Sequence, residues 1–320
     1  MNMSHSNPLK ESAMLMMPSE DQEELSKVWF ITGCSKGLGL ALSQHLLEKG
    51  YRVASTSRYK SELEKELGPD SKQFLGVQMD ITNEKEIKSS IDSVMKYFGR
   101  IDFVVNNAAY CQLGTVEELT NQEIQSNFLV NYYGTVNVLR HVSPILRSQK
   151  SGHVFNVSSV AGFTNPFPGW SSYAATKHAI DGMTECYAEE MKIFGVRVSL
   201  ISPGAFQTSF LSTDHCKVPS QPNEAYAECP KLAHDYFTSM GCFNHMGDSK
   251  KYSELIVQIA NIQETDKVPK QLFVGADAFK LARAKIDSMT KQLDYWEPIA
   301  SKMDLDSHLI KINYSYPRDE

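Results

Sequence analysis

The sequence lacks three features that would point to particular classes of protein. It has no apolar stretch of the roughly 20 residues that a membrane-spanning helix needs. Its six cysteines are scattered without a C-x-x-C pair, which fits neither a zinc site nor a secreted disulfide framework. Its formal net charge of -6 argues against nucleic acid as the main partner. We therefore expect a cytoplasmic protein with free thiols, no metal site and no membrane span.

The first 26 residues also lack the basic start and long apolar segment of a signal peptide. Their Met-rich apolar run, at 13–17, is short and is followed by acidic residues. We expect residues 1–26 to be a disordered leader. The whole chain is 42% hydrophobic and 22% charged, proportions that are ordinary for a globular protein with a large core.

From residue 27 onward, short apolar runs alternate with longer amphipathic runs. We predict strands at 28–31, 52–56, 74–79, 103–105, 153–157, 196–201 and 271–274. We predict helices at 37–49, 84–97, 122–147, 172–194, 252–262 and 276–296. Continuously apolar strands separated by helices indicate a parallel sheet covered on both faces. The predicted fold is therefore α/β, a doubly wound parallel sheet of the Rossmann type.

The alternation stops between residues 205 and 250, where Pro, Ser and Asn interrupt the pattern. Aromatic residues in this stretch give it something to pack, so we interpret it as an insertion that covers the substrate; an irregular surface loop is the alternative. No linker marks a second domain. We expect one domain over 27–320, with a helical C-terminal extension over 276–320.

A glycine-rich turn, Thr32-Gly33-Cys34-Ser35-Lys36-Gly37-Leu38-Gly39, joins the first predicted strand to the first predicted helix. Glycine lets the backbone approach a pyrophosphate closely, and a helix N-terminus offers unpaired N–H groups to phosphates. A glycine turn alone is weak support, because any tight turn needs glycine. Its place between strand and helix predicts a dinucleotide site.

This turn, followed by Asn106-Asn107-Ala108 and by Tyr173-x3-Lys177, resembles the short-chain dehydrogenase/reductase family over residues 27–201. The tail, with segments 272–278 and 296–298, resembles a subgroup with an extended C-terminus. The resemblance implies a nicotinamide cofactor and assigns it a set of contacts: Gly33, Ser35, Lys36, Gly37, Leu38, Gly39, Arg58, Asp80, Asn107, Ala108, Tyr173, Lys177, Pro203 and Thr208. The family's N-N-A-G element ends here in Ala109, which requires a backbone angle that alanine tolerates.

The end of the second strand bears on which nicotinamide cofactor is used. A carboxylate there accepts hydrogen bonds from a ribose 2′-OH, whereas arginine favours a 2′-phosphate. This strand ends without an acid at Ser57 and continues into Arg58, and Lys36 adds a second positive charge from the glycine turn. The alternative is that both cations are ordinary surface residues. We predict a preference for NADP(H) over NAD(H).

Tyr173 and Lys177 are four residues apart on a predicted helix, so their side chains share one face. An ordinary tyrosine has a pKa of about 10, and a nearby cation is needed to stabilise its phenolate. We expect Tyr173 to be the proton donor and acceptor of the reaction. The resemblance adds Ser159 as the residue that aligns the substrate, although its neighbour Ser158 is not excluded.

The resemblance assigns a further role to Asn131, which would hold a water that links the lysine to solvent. Asp80 would contact the adenine. The alternative for this segment is a local role, capping of the next helix at Asn83. Thr208 would contact the nicotinamide carboxamide. Each of these residue types also has an ordinary structural explanation. The prediction depends on their occurring together, in order, on the expected elements.

The predicted function is interconversion of a carbonyl and an alcohol with NADP(H). Aromatic residues near the expected cavity mouth make an apolar substrate plausible, although core packing also explains them: Phe163, Phe167, Trp170, Phe206 and Phe210. The alternative is a non-catalytic NADP(H)-binding sensor or scaffold. Sugar-nucleotide epimerases and enoyl reductases fit the turn or the Tyr–Lys spacing less well. The family commonly pairs through its two long helices, so we expect a homodimer or homotetramer.

Overall fold

The structure is a computed structural model that describes residues 24–208, 210, 216–239 and 246–303. Its strands are β1 (Val28–Ile31), β2 (Arg52–Ser57), β3 (Phe74–Gln78), β4 (Phe103–Asn106), β5 (Cys111–Gln112), β6 (His153–Val157), β7 (Arg197–Pro203), β8 (Cys216–Lys217) and β9 (Gln271–Val274). Within the described residues, seven of them form one sheet in the order β3-β2-β1-β4-β6-β7-β9. All the neighbouring strands in it are parallel.

Helices cover both faces of this sheet. They are α1 (Gly37–Lys49), α2 (Lys60–Leu67), α3 (Glu84–Phe98), α4 (Asn121–Phe128), α5 (Gly134–Gln149), α6 (Ser171–Lys192), α7 (Cys229–Ser239), α8 (Ser249–Ala260) and α9 (Ala276–Ala300). One core layer lies between the sheet and α3, α5 and α6, and the other lies between the sheet and α1 and α8. The prediction of a doubly wound parallel sheet in a single α/β domain is confirmed.

The strands are continuously apolar because neither face of the sheet meets water. In β1, for example, all four side chains are fully buried, and Trp29 stacks on Phe103 of β4 with ring centroids 4.2 Å apart. The parallel arrangement brings the carboxyl ends of the strands to one edge of the sheet. At that edge the order reverses between β1 and β4, which is where such folds bind their ligands.

Two predicted regions differ from the structure. The helix expected over 122–147 is interrupted by a π-helical segment, Leu129–Tyr133, between α4 and α5. The stretch 205–250, which has little periodicity, contains α7 and the strand β8, which pairs with β5. Residues 209, 211–215 and 240–245 of this stretch lie outside the described residues, as do residues 1–23 of the predicted leader and 304–320 of the predicted extension.

The last long helix, α9, leaves the domain after its first two turns. Ala278, Leu281 and Ala282 are buried, whereas every residue from 283 to 300 is exposed. Among the helices that the structure describes, none combines the length and the apolar character that crossing a membrane requires.

Candidate active site

A cavity of about 440 Å³ opens at the carboxyl edge of the sheet. Its walls include most of the predicted site residues: Gly33, Ser35, Lys36, Gly37, Leu38, Arg58, Asp80, Asn107, Ala108, Ser159, Tyr173, Lys177, Pro203 and Thr208. Gly39 and Asn131 are buried behind these walls. The topology therefore brings segments that are up to 175 positions apart in sequence into one cleft.

The glycine turn is held against the strand β4 by hydrogen bonds. The Nδ2 of Asn107 donates to the carbonyls of Thr32 and Gly33, each at 3.0 Å. Gly33 has φ +73°, and a Cβ on it would lie 2.8 Å from the Cα of Ala108. A Cβ on Gly39 would lie 2.5 Å from the same Asn107 amide. Glycine at these positions is therefore required by close packing.

The N-terminus of α1 suits a phosphate group. The helix begins with Gly37–Leu40, a turn without polar side chains, and its N-cap residue Lys36 has an ammonium group that cannot accept a hydrogen bond. The first backbone N–H groups of a helix lack partners within the helix. Here they lie beside the cavity, where an anion can accept their hydrogen bonds. The turn and the helix N-terminus thus fit the pyrophosphate of a dinucleotide.

The far end of the cavity is more open. Arg58 is exposed and lines the cavity, and Lys36 is half-buried on the glycine turn. Ser57 donates to a carboxylate oxygen of Glu62 at 2.8 Å, so an acid does lie near the end of β2, although Glu62 is not a cavity-lining residue. Asp80 accepts hydrogen bonds from the backbone and hydroxyl of Thr82, both at 2.8 Å.

Asn83 caps the helix that follows this segment. Its side chain accepts hydrogen bonds from the backbone N–H groups of Lys85 and Glu86 at the start of α3. Asp80 itself lies on the cavity wall. In the N-N-A-A element, Ala109 does not have positive φ, since among the described residues only Lys150 combines a side chain with positive φ. Alanine in place of glycine is therefore unstrained at this position.

Tyr173 and Lys177 lie on α6 and are 5% and 3% exposed. Lys177 donates from Nζ to the carbonyl of Val157 at 2.9 Å, and this nitrogen lies 5.8 Å from the centre of the Tyr173 ring. Trp170 and Phe210 pack against the same ring, with centroids 5.9 and 5.8 Å away. The phenol and the ammonium thus point into one buried pocket.

Burial governs the proton affinity of both groups. Burial raises the pKa of Tyr173, the negative charges of Cys111, Cys216 and Asp181 raise it further, and a hydrogen bond with Ser159 lowers it. Burial lowers the pKa of Lys177 to about 8, while Asp181 and Cys111 oppose that shift. Without the cofactor, Tyr173 is therefore a protonated acid at neutral pH, and Lys177 titrates close to the physiological range.

The two serines after β6 have different partners. Ser158 is buried and donates to the carboxylate of Asp181. Ser159 accepts from the backbone N–H of Ala161 at 3.1 Å and hydrogen-bonds to Tyr173. The geometry therefore places Ser159, rather than Ser158, beside the phenol.

Asp181 is a buried carboxylate that the sequence reading missed. It lies one turn after Lys177 on the same face of α6, and burial raises its pKa to about 6. A Cβ on Gly162 would lie 2.6 Å from the Ser158 hydroxyl and 2.7 Å from the Asp181 carboxylate, so this glycine makes room for the pair. The spacing of four from Lys177 was the available signal.

Asn131 lies in the π-helical segment and is 1% exposed. Its Oδ1 accepts from the backbone N–H of Tyr110, and its Nδ2 donates to the carbonyl of Tyr110 and to the hydroxyl of Thr176, all at 3.0 Å. π-Helical turns are frequent at functional sites. The π-helical segment that interrupts the predicted helix therefore supports a functional role for Asn131. Asn131 connects the cavity wall at Tyr110 to the helix that carries Lys177.

Asp277 positions the segment after β7 and was also missed by the sequence reading. Its Oδ2 accepts from the backbone N–H of Ala205 at 2.7 Å, and a Cβ on Gly204 would lie 2.2 Å from its Oδ1. This contact holds the Pro203–Gly204 turn in the cavity wall. Thr208 follows and faces the glycine turn, with its Cβ 3.9 Å from the position of a Cβ on Gly37.

The part of the cavity beyond Tyr173 is mostly apolar, with Lys217 as a polar exception. Its walls include Val160, Ala161, Phe167, Trp170, Phe206, Phe210 and Leu281. Phe163, which the sequence reading grouped with these aromatics, instead packs on Phe273 with ring centroids 5.2 Å apart. Lys217 lies 4.6 Å above the ring of Tyr110.

Known proteins share this architecture. Residues 27–217 match the family described as short chain dehydrogenase. An oxidoreductase of Penicillium decumbens, calM, is 33% identical over 294 residues, which cover 88% of this chain and 94% of that protein. The crystal structure of a short-chain dehydrogenase from Streptomyces avermitilis has a TM-score of 0.78 and 30% identity, and covers 87% of this chain and 98% of its own.

A structure of ElxO with NADP bound shares the fold at a TM-score of 0.64 and 24% identity, covering 78% of this chain and 96% of its own. The family match spans the glycine turn, the Tyr–Lys pair and the cavity-lining residues other than Asp277 and Leu281. The chain therefore belongs to the short-chain dehydrogenase/reductase family and is an NAD(P)-dependent oxidoreductase.

Proposed function

We propose that this protein interconverts a carbonyl and a primary or secondary alcohol with NADP(H), and that Tyr173 is its acid and base. The observation that carries the proposal is the shared cavity. One cleft contains a phosphate-binding turn, a buried Tyr173 hydrogen-bonded to Ser159, and the ammonium of Lys177. A sensor that has lost its chemistry has no need of this set of polar groups at the buried end.

A nicotinamide held in this cleft would supply the hydride for carbonyl reduction. Ser159 donates a hydrogen bond to the substrate oxygen and orients it toward Tyr173. Tyr173, which its raised pKa keeps protonated at neutral pH, donates its proton to the oxygen as negative charge develops there. Lys177 stabilises the resulting phenolate by its positive charge.

Lys177 and Asn131 would serve the return of the proton. The Lys177 ammonium donates to the Val157 carbonyl and is buried, so its proton must be replaced through neighbouring polar groups. Asn131 touches both Tyr110 and Thr176 and thereby borders this route. In this proposal Asn131 is a positioning residue that fixes the lysine side of the cavity.

The preference for NADP(H) is part of the proposal and depends on charge at the end of β2. Arg58 lines the cavity and Lys36 lies on the neighbouring turn, whereas Glu62 lies outside the cavity wall. A 2′-phosphate at this end would therefore meet two cations. The two carboxylates that line the cavity already have partners: Asp80 is bonded to Thr82, and Asp277 accepts from the backbone N–H of Ala205. ElxO, which shares this fold, binds NADP, while other proteins of the fold bind NAD+ or NADH, so the fold accommodates either cofactor.

The apolar walls beyond Tyr173 favour a substrate with a hydrophobic body beside its carbonyl. We further propose a cytoplasmic homodimer or homotetramer, as the composition and the family resemblance lead us to expect. None of these finer assignments is needed for the assignment to the family.

The direct test is to follow NADPH absorbance with a panel of aldehydes and ketones whose apolar groups increase in size. We expect NADPH consumption that rises with apolar size until the cavity is filled, and slower consumption with NADH. Tight NADPH binding without turnover across the whole panel, in either direction, would instead favour the sensor. A fully active Tyr173→Phe variant would refute the assigned chemistry.

A further inference from the structure

Two cysteine thiols meet beside the catalytic tyrosine. Cys111 of β5 and Cys216 of β8 are register partners in the two-stranded sheet, and each thiol shifts the pKa of the other. Cys111 is fully buried in a cluster with Ala161 and Tyr173, and Cys216 packs against that cluster while remaining partly exposed. Neighbouring strands lie about 4.8 Å apart, a separation within the range that disulfides span.

We propose that Cys111 and Cys216 form a redox-active dithiol that peroxide converts to a disulfide, and that this bond controls turnover. Cys216 attacks the peroxide, because it is the more exposed thiol. Its sulfur takes one oxygen as the O–O bond breaks, giving a sulfenic acid and water. The Cys111 sulfur then attacks the sulfenic sulfur, the S–S bond forms, and the oxygen leaves as a second water with the Cys111 proton. Two thiols are oxidised and one peroxide is reduced to two waters.

The local charges agree with this order of attack. The hydrogen bond from Cys111 lowers the pKa of Cys216, whereas the same contact and burial raise the pKa of Cys111. Cys216 is therefore the more readily ionised of the two thiols, and the thiolate is the nucleophilic form. Lys177 acts on Cys111 from the other side and lowers its pKa, which shows how closely the pair adjoins the catalytic groups.

The bond would tie β8 to a strand that touches Tyr173. Leu113 donates to the Lys217 carbonyl at 2.8 Å, and this hydrogen bond can open and close, whereas a disulfide cannot. Lys217 and Phe210 line the substrate end of the cavity, so β8 belongs to the wall that must admit the substrate. We expect the oxidised protein to turn over more slowly, with cofactor affinity unchanged.

The test is peptide mapping by mass spectrometry of the full chain after treatment with hydrogen peroxide. We expect a Cys111–Cys216 crosslinked peptide, a loss of turnover and recovery of both with a thiol reductant. Peroxide should leave the rate of Cys216→Ser at the value that this variant has before treatment. Cys186→Ser is the control: it alters an exposed cysteine that does not line the cavity, and peroxide should inactivate it like the wild type. Absence of that crosslink, or equal inactivation of Cys216→Ser, would overturn the proposal. A crosslink without a change in turnover would show that the disulfide does not control the active site.

A separate observation concerns the exposed part of α9. Its 18 residues from 283 to 300 extend for about 27 Å and are exposed throughout. An isolated helix of this length is marginal in water, because packing of an apolar face supplies most of a helix's stability. The stripe that needs a partner is Ile286, Met289, Leu293 and Trp296, each between 45% and 65% exposed.

The spacing of this stripe is that of a coiled coil. Its members are separated by three, four and three residues, and Phe279 and Met303 continue the seven-residue repeat at its two ends. Both end residues are also exposed, at 47% and 76%. Phe279 contacts Phe273 of β9, with ring centroids 6.4 Å apart, but from residue 286 onward no described part of this chain covers the repeat.

We infer that the stripe packs against the same stripe of a second copy, with the two helices antiparallel. In that register Ile286 faces the partner's Trp296, and Met289 faces the partner's Leu293, so each layer joins residues of the stripe. Arg283 and Glu297 occupy the same heptad position two repeats apart. Antiparallel pairing brings Arg283 close to the partner's Glu297 twice in the symmetric pair, whereas in-register parallel pairing would keep them two heptads, about 21 Å, apart.

Molar mass in solution, measured by light scattering or sedimentation, tests this interface. We expect Leu293→Glu to convert a dimer to a monomer, or a tetramer to a dimer. Lys291→Glu, on the opposite side of α9, should leave the assembly intact. Arg283→Glu should weaken assembly, and adding Glu297→Arg should restore it. An unchanged mass for Leu293→Glu would overturn the interface, as would a monomeric wild type, including one whose stripe binds lipid vesicles instead. No loss with Arg283→Glu would overturn the antiparallel arrangement.

Discussion

The two ends of the cofactor cleft are built differently. At the Tyr173 end, the functional groups are buried and held by backbone carbonyls and neighbouring side chains, as Lys177 is by Val157. At the Arg58 end, the charged groups are exposed or half-buried and meet water. Electrostatic effects are strong and hard to replace where water is excluded, and they are weak and screened where it is present. The first end should therefore control the rate, and the second should adjust only the choice of cofactor.

Removing the phenol hydroxyl should have the largest effect. We expect Tyr173→Phe to lower kcat by roughly 10²–10⁴, because a positioned acid is lost, and to leave NADPH affinity nearly unchanged. Steady-state rates and a fluorescence titration of NADPH measure the two quantities. Tyr133→Phe is the matched control, since Tyr133 is 52% exposed on the π-helical segment. A comparable loss in the control would show that the effect is one of stability.

Reversing the charge at the exposed end should have a smaller and more selective effect. We expect Arg58→Asp to raise the KM for NADPH by about tenfold or more, and to leave kcat with either cofactor close to the wild-type value, because a 2′-phosphate would lose one cation and face an anion. Kinetics with both cofactors checks this. An unchanged ratio of the two KM values would contradict the assignment of Arg58.

These two ends also differ in what the sequence could predict. Tyr173 and Lys177 could be found because their spacing on a helix and their order after the glycine turn are local features. Whether Ser158 or Ser159 faces the phenol depends on Asp181, a contact across 23 positions that no local pattern encodes. The pairing of β5 with β8 was missed for the same reason. Glu62 lies only five positions after Ser57, but it belongs to α2 and not to the end of β2, where the prediction looked for an acid.

The buried end should also respond to the loss of a charge that touches no substrate. Asp181 raises the pKa of Lys177, which burial lowers to about 8. Its own pKa is about 6, so it is ionised when Lys177 titrates. Asp181→Asn should therefore lower the Lys177 pKa further. If activity requires a protonated lysine, then on raising the pH the variant should lose activity at a lower pH than the wild type does.

The pH profile of kcat/KM for carbonyl reduction measures this shift. We expect the alkaline limb of Asp181→Asn to move toward neutral pH, while Glu190→Gln, an exposed carboxylate further along α6, keeps the wild-type profile. An equal loss of activity at every pH would mean that Asp181 supports the structure around Ser158 and does not tune Lys177.

Salt should have the smallest effect, and it should act on the exposed end alone. The Debye length falls from about 10 Å at 0.1 M to about 3 Å at 1 M, and exposed ion pairs contribute only about 0–1 kcal/mol. We therefore expect the KM for NADPH to rise by about two- to fivefold over this range, with less change for NADH, whose adenosine lacks the 2′-phosphate. In Arg58→Asp the extra rise for NADPH should be lost or reversed, because the 2′-phosphate then faces a carboxylate whose repulsion salt also screens, against the remaining attraction to Lys36. A salt response of equal size with both cofactors would place the effect on the shared pyrophosphate at α1, and the proposed division between the two ends of the cleft would fail.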